Sequence, residues 1–148
     1  MFEEPNMEKL TINLPPIEIA RIDILVEAGY YPSRAEFIRA AIRKTLDGHQ
    51  EVITKRLERL TSDEKLADQE KADFVTTVGV QVLGKDVFEK AIRQGRKLSI
   101  KVVGLLILKK DVKREHIENA VETVRIYGIL RASQQVKNAL LKKAKVED

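Results

Sequence analysis

The segment Lys9-Leu10-Thr11-Ile12-Asn13-Leu14-Pro15 limits what this chain can fold into more than any other stretch. Leu10, Ile12 and Leu14 alternate with Lys9, Thr11 and Asn13, and a strict period of two is that of a strand with one apolar and one polar face. A strand so short is not stable alone, because its backbone groups stay unpaired. Nothing before it offers a partner, and two helical patterns follow at once. The simplest partner is the same segment of a second copy, lying antiparallel. The resulting ribbon turns its apolar side chains inward and presents Lys9, Thr11 and Asn13 outward, all hydrogen-bond donors and none acidic.

Pro15-Pro16 stops the strand, and Pro16 suits a helix start. Ile17, Ala20, Ile22, Leu25 and Val26 predict a first helix over 16–28, with Gly29 as its C′ residue. After the turn Tyr30-Tyr31-Pro32, Ser33-Arg34-Ala35-Glu36 has the spacing of a capping box. Phe37, Ile38, Ala41, Ile42 and Leu46 predict the apolar face of a second helix over 34–47. A strand and two short helices bury too little apolar surface to fold alone. An intertwined dimer doubles the core and pairs the strand in one step. A two-stranded ribbon also fits the major groove of B-DNA, about 12 Å wide.

These residues carry a resemblance. The stretch Lys9 to Pro15, a helix, Gly29, and then Ser33-Arg34-Ala35-Glu36-Phe37-Ile38-Arg39-Ala40-Ala41-Ile42 resembles the ribbon-helix-helix family of MetJ/Arc/CopG-type repressors over residues 8–47. The resemblance implies that Lys9, Thr11 and Asn13 contact bases, and that Ser33 and Arg34, at the start of the second helix, contact phosphate. Nickel-sensing relatives carry a His- and Cys-rich C-terminal domain, which is absent here, so nickel is excluded. The pattern departs from a basic DNA-binding arm in its acidic flank, Glu3, Glu4 and Glu8.

Charge placement agrees with recognition by a few placed groups rather than by bulk attraction. Residues 1–48 hold six Lys and Arg against eight Asp and Glu, a balance of −2, and residues 49–148 hold 21 against 15, a balance of +6. The segment assigned to DNA is not the basic half. The Lys109-Lys110 and Lys142-Lys143 runs read as solvated surface.

Residues 49–73 read as a helical linker, with a helix over 49–60, a break at Thr61-Ser62-Asp63 and a short helix over 63–71. From Phe74 the chain becomes rich in β-branched residues. The spacing predicts strands at 74–83 and 98–108 and helices at 85–94, 112–127 and 134–145, a β-α-β-α-α order. The helix at 112–127 rests on Ile117, Ala120, Val121 and Val124, with Gly128 closing it. No internal repeat is visible. Two strands make a poor sheet for this much apolar surface, so the C-terminal part is expected to self-associate.

The chain has no cysteine and two distant histidines, His49 and His116, so neither a disulfide nor a multi-histidine metal site is expected. His116 reads as an ordinary exposed histidine, and Tyr30-Tyr31 as packing for the turn. No apolar run approaches the roughly 20 residues that span a bilayer, and no catalytic constellation is present. The expectation is an α+β, cytoplasmic, non-enzymatic and cofactor-free protein: a flexible arm (1–7), a ribbon-helix-helix unit that forms an intertwined dimer (8–48), a helical linker (49–73) and a C-terminal oligomerisation or regulatory domain (74–148). Its expected partners are double-stranded DNA and further copies of itself, a dimer through residues 8–48 with room for a tetramer through 74–148. The sequence identifies no small-molecule effector. Its expected role is a sequence-specific repressor. The alternative is an antitoxin-like interaction module whose C-terminal domain binds a partner protein.

Overall fold

A computed structural model describes residues 7–66 and 72–144. The arm at 1–6 and the end of the linker at 67–71 lie outside the described residues. Among the described residues the chain divides into two compact units, Lys9–Asp63 and the part from Glu64 onward, which also takes in Met7 and Glu8.

The first unit is helical. α1 spans Pro16–Glu27 and α2 spans Arg34–Gly48. α1 begins on a proline whose missing N–H costs nothing at that position. It ends in a Schellman turn: Tyr30 N donates to Leu25 O at 3.0 Å, Gly29 N donates to Val26 O at 3.1 Å, and Gly29 has φ +80°. Tyr31 then packs edge-on against Phe37 with ring centroids 5.0 Å apart, while Tyr30 stays exposed. α3 runs unbroken over Gln50–Leu66, so the expected break at Thr61-Ser62-Asp63 is absent. Those three residues are tolerated inside a helix and favour a cap only where the chain leaves it.

The second unit holds β1 (Ala72–Leu83), α4 (Lys85–Arg93), β2 (Lys97–Leu108), α5 (Arg114–Ala120), β3 (Val121–Arg131) and α6 (Gln134–Lys143). The order is β-α-β-α-β-α, and the expected β-α-β-α-α order is corrected by the third strand. Only 114–120 of the predicted helix 112–127 is helical. Val121-Glu122-Thr123-Val124-Arg125-Ile126-Tyr127 satisfies a period of two as well as a helical one, and its β-branched residues fit a pleated surface better than a helix. Gly128 lies inside that strand instead of ending a helix.

The sheet is parallel, in the order β1-β2-β3. Val75, Ile100, Val102, Leu106 and Val124 face one side and join Phe88, Ile117, Val136 and Leu140 of the three helices in one core. The other side carries Val78, Val80 and Val82 of β1, Val103, Leu105 and Ile107 of β2, and Tyr127 and Ile129 of β3, as the register requires. On this side Ser99, buried near the start of the middle strand, shares a hydroxyl hydrogen bond with Thr123.

The register also shows a repeat that the sequence conceals. Gly79, Gly104 and Gly128 lie side by side across the three strands. Their φ values are +123°, +134° and +125°. A Cβ on Gly104 would overlap the carbonyl oxygen of Gly79, and one on Gly128 would overlap that of Gly104. Each strand with its following helix is therefore one copy of a β-α unit, and the expectation of no repeat is corrected. Side chains outside the glycine differ enough between copies to hide the period.

His116 is no free surface group. Its Nδ1 accepts a hydrogen bond from Lys113 N–H at 2.9 Å, and its Nε2 lies 3.5 Å from Glu89 Oε1. Among the described residues no helix is long and apolar enough to cross a membrane, and no group of acidic, His or Cys side chains could hold a metal ion.

Candidate nucleic-acid interface

Lys9, Thr11 and Asn13 are exposed, and residues 7–15 have no regular secondary structure in the single chain. The expected strand is not formed within this polypeptide. Among the described residues no backbone hydrogen bond joins residues 9–14 to any other segment of it. A strand exists only through its pairing, and here no second strand is in place. The same lack leaves the intended inward face in solvent: Leu10 is 81% exposed and Ile12 50%.

The helices behind this segment are equally incomplete. α2 has no buried residue and α1 has one, Ile22. Ile12, Leu14, Ile22, Leu25, Phe37 and Ile42 border an apolar cleft of about 410 Å³ between the segment and the two helices. Ile24 and Leu46 are also largely exposed. An amphipathic helix pair with its apolar stripe in water is half of a core.

At the start of α2, Ser33 has extended backbone and its Oγ accepts a hydrogen bond from Glu36 N at 3.2 Å. Its carbonyl accepts from Phe37 N at 3.1 Å. Glu36 does not close the box: its carboxylate accepts instead from Arg39 Nη1 at 2.6 Å. The amides of Arg34 and Ala35 belong to the first turn, which has no carbonyls of its own to bond, and they point along the helix axis with the positive end of the dipole.

Arg34 is held by a partner that the sequence did not reveal. Its Nε and Nη2 donate to Oδ1 and Oδ2 of Asp23, each at 2.7 Å, which ties α2 to α1. The hydrogen bond holds the Asp23 carboxyl below its usual value and the Arg34 guanidinium above its own. A guanidinium has five N–H donors, and this pair uses two. Nη1 remains to donate elsewhere. No local spacing rule links residues 23 and 34. The sign available in the sequence was a cation at a helix start, where the dipole opposes it.

Ser33, Arg34 and the first amides of α2 are thus consecutive at the start of that helix, with the Arg34 guanidinium on Asp23 of α1. Among the described residues no hydrogen bond joins Lys9, Thr11 or Asn13 to that group. The two sets are separate parts of one unit.

Known proteins give the context. The transcriptional regulator CdrS of Halobacterium salinarum is 40% identical over 43 residues, which is 29% of this chain and 78% of that protein. An uncharacterised protein of Methanocaldococcus jannaschii is 36% identical over 52 residues, 35% of this chain and about half of that protein's length, 52%. No solved structure matches the chain significantly. The ribbon-helix-helix transcriptional regulator family matches residues 5–137. That match takes in most of the chain, the helix pair and the parallel sheet together, and this protein belongs to the ribbon-helix-helix transcriptional regulator family.

Proposed function

We propose that this protein is a sequence-specific repressor that inserts a two-stranded antiparallel ribbon, one strand from each of two copies, into the DNA major groove. One observation carries the reading. The alternating segment, α1 and α2 all leave apolar side chains in solvent around a cleft, and a second copy of the same surface would cover it. Pairing residues 9–14 across that dimer turns Leu10, Ile12 and Leu14 inward and Lys9, Thr11 and Asn13 outward. An asparagine side chain can pair with adenine through two hydrogen bonds, and a lysine can donate to guanine.

The start of α2 then serves as the clamp on the backbone. Amides at the positive end of the dipole, with Nη1 of Arg34 beside them, suit one phosphate oxygen. Asp23 orients the guanidinium without using its donors up. Occupation of the groove by such a clamp excludes other proteins from the same site, which is how a repressor works.

The C-terminal unit joins these dimers. It has a folded core of its own, unlike a tail that orders only on binding a partner. This favours the repressor over the antitoxin-like alternative.

The test is retention of genomic DNA fragments by the intact protein, followed by sequencing and binding of single-base variants of the retained site. Asn13→Ala is expected to lose discrimination at one base pair by about 1–3 kcal/mol, roughly 5- to 150-fold. Arg34→Ala is expected to weaken all variants alike and to flatten the salt dependence. An Asn13→Ala protein that ranks the variants as the wild type does would remove Asn13 from base readout.

A further inference from the structure

Among the described residues the parallel sheet ends at β1 on one side and β3 on the other, and the two edges are unlike each other. β1 is a long edge strand, and from Phe74 to Leu83 it has no charged residue and no proline. Edge strands that must stay unpaired carry such protection. Its side chains opposite the helices are exposed: Phe74 38%, Val78 62%, Val80 46% and Val82 46%. At the other edge, Val124 of β3 already forms a parallel bridge with Ala144, while Ile126–Leu130 have β2 as their one strand partner among the described residues. That edge accepts a parallel neighbour.

We propose that the C-terminal units join head to tail, the β3 edge of one copy adding to the β1 edge of the next as a further parallel strand, with Gly128 of one opposite Gly79 of the other. The proposal rests on the reading of this unit as the part that joins dimers, and is independent of how the protein contacts DNA.

Two independent observations choose this partner. The first is the fate of the side-chain rows. Val78, Val103 and Tyr127 form one row across the sheet, and Val80, Leu105 and Ile129 the next. In the joined sheet Tyr127 of one copy lies beside Val78 of the next, and Ile129 beside Val80. An aromatic or branched apolar pair then continues each row, and Tyr127, 41% exposed, and Val78 cover each other.

The second is the glycine row. At Gly104 and Gly128 the place of a Cβ is taken by the carbonyl oxygen of the preceding strand's glycine. Gly79 has a similar positive φ, yet among the described residues nothing lies within 4 Å of its Cβ position. The place that a neighbouring carbonyl fills twice within the sheet is open at its β1 edge among the described residues, and the carbonyl of Gly128 is the one in the row with no described strand beyond it. Stacked repeats with complementary ends grow without closing unless a cap intervenes.

Sedimentation velocity on the intact protein over a wide concentration range tests this. Wild type is expected to grow beyond the dimer, its average mass rising with concentration without a fixed end. Val78→Lys and Tyr127→Glu, each folded by thermal melt, are each expected to stop growth at the dimer. Mixed, they are expected to restore it, because the lysine of one then meets the glutamate of the other. Val80→Lys and Ile129→Glu form the second pair, should either of the first fail to fold. Wild type that stays a dimer at all concentrations would overturn the proposal and the joining role together, and a larger oligomer of one fixed size would overturn the head-to-tail arrangement alone. Growth that survives every lysine variant would overturn the edge assignment alone. Growth blocked by Val78→Lys but not by Tyr127→Glu would point to pairing of two β1 edges and would overturn it too, as would folded variants that fail to grow when mixed.

Discussion

Arg34 and Asp23 form a two-point ion pair between the helices, with both N···O distances 2.7 Å. Both side chains are exposed, 61% and 48%, so water and salt screen the pair and its direct contribution to stability is small. Its use is geometric, since it fixes a guanidinium beside the start of α2. The hydrogen bond from Arg34, aided by its charge, lowers the Asp23 carboxyl from the ordinary 3.8. A carboxyl lowered in the folded state stabilises fully above its unfolded value and loses that effect as pH falls through the folded one. The melting temperatures of wild type and Asp23→Asn are therefore expected to differ by a constant amount above about pH 5. They should converge as pH falls below 3.8. A gap that widens on acidification would contradict the pair.

Ser33 has a structural duty that can be separated from a phosphate-binding one. Its hydroxyl caps α2, and Ser33→Ala is expected to cost about 1 kcal/mol per chain. Urea unfolding must be compared at one protein concentration, because the stability of an intertwined dimer depends on it. Ser33→Asp keeps a capping oxygen and should retain most of that stability. It should nonetheless weaken DNA binding, because its carboxylate competes with phosphate for the same amides. Equal DNA affinity for Ser33→Asp and wild type would move the phosphate elsewhere.

Ile42 tests whether the cleft is half of a shared core. In the single chain it is 46% exposed, so Ile42→Asp leaves an isolated copy almost unchanged. In the proposed dimer the same position is buried, and a carboxylate there would replace about 1.5–3 kcal/mol of apolar burial with an unpaired charge. The variant is expected to lose the dimer and DNA binding together, while hydrogen exchange in β2 stays slow. A dimeric Ile42→Asp protein would place the interface on another surface.

The boundaries of α1 and α2 were legible because local chemistry sets them, whereas the break expected in α3 was not there. Pro16 starts α1, Gly29 closes it and Ser33 caps α2, each acting within four residues. The proposed ribbon is present only as a sequence pattern, since residues 9–14 form no strand in the single chain. β3 was misread because Ile117, Ala120, Val121 and Val124 meet a helical period, while Val124, Ile126 and Leu130 meet a period of two. The choice between them is made by β2, far away in sequence, and not by any local signal. Long-range contacts hid the rest as well. Asp23 and Arg34 are eleven residues apart, and Gly79, Gly104 and Gly128 are aligned only by strand register.

That alignment makes the glycines unequal in a measurable way. All three have the positive φ that strains an L residue, so each Gly→Ala change carries a conformational cost. Gly104→Ala adds an overlap with the backbone carbonyl of Gly79, an atom that cannot turn aside, whereas Gly79→Ala meets nothing. In dilute protein, with any joins between copies open, Gly104→Ala is expected to destabilise the C-terminal unit by about 1–3 kcal/mol more than Gly79→Ala. Urea unfolding followed through Tyr127, on the strand next to Gly104, reads the difference. In concentrated protein the order of effects on assembly reverses in kind: a folded Gly79→Ala protein meets the carbonyl of Gly128 from the next copy and should stop growing. Equal costs at 79 and 104 in dilute solution would mean that the strands do not approach at the glycine row. The case for an open edge prepared for a neighbour would then rest on the side-chain rows alone.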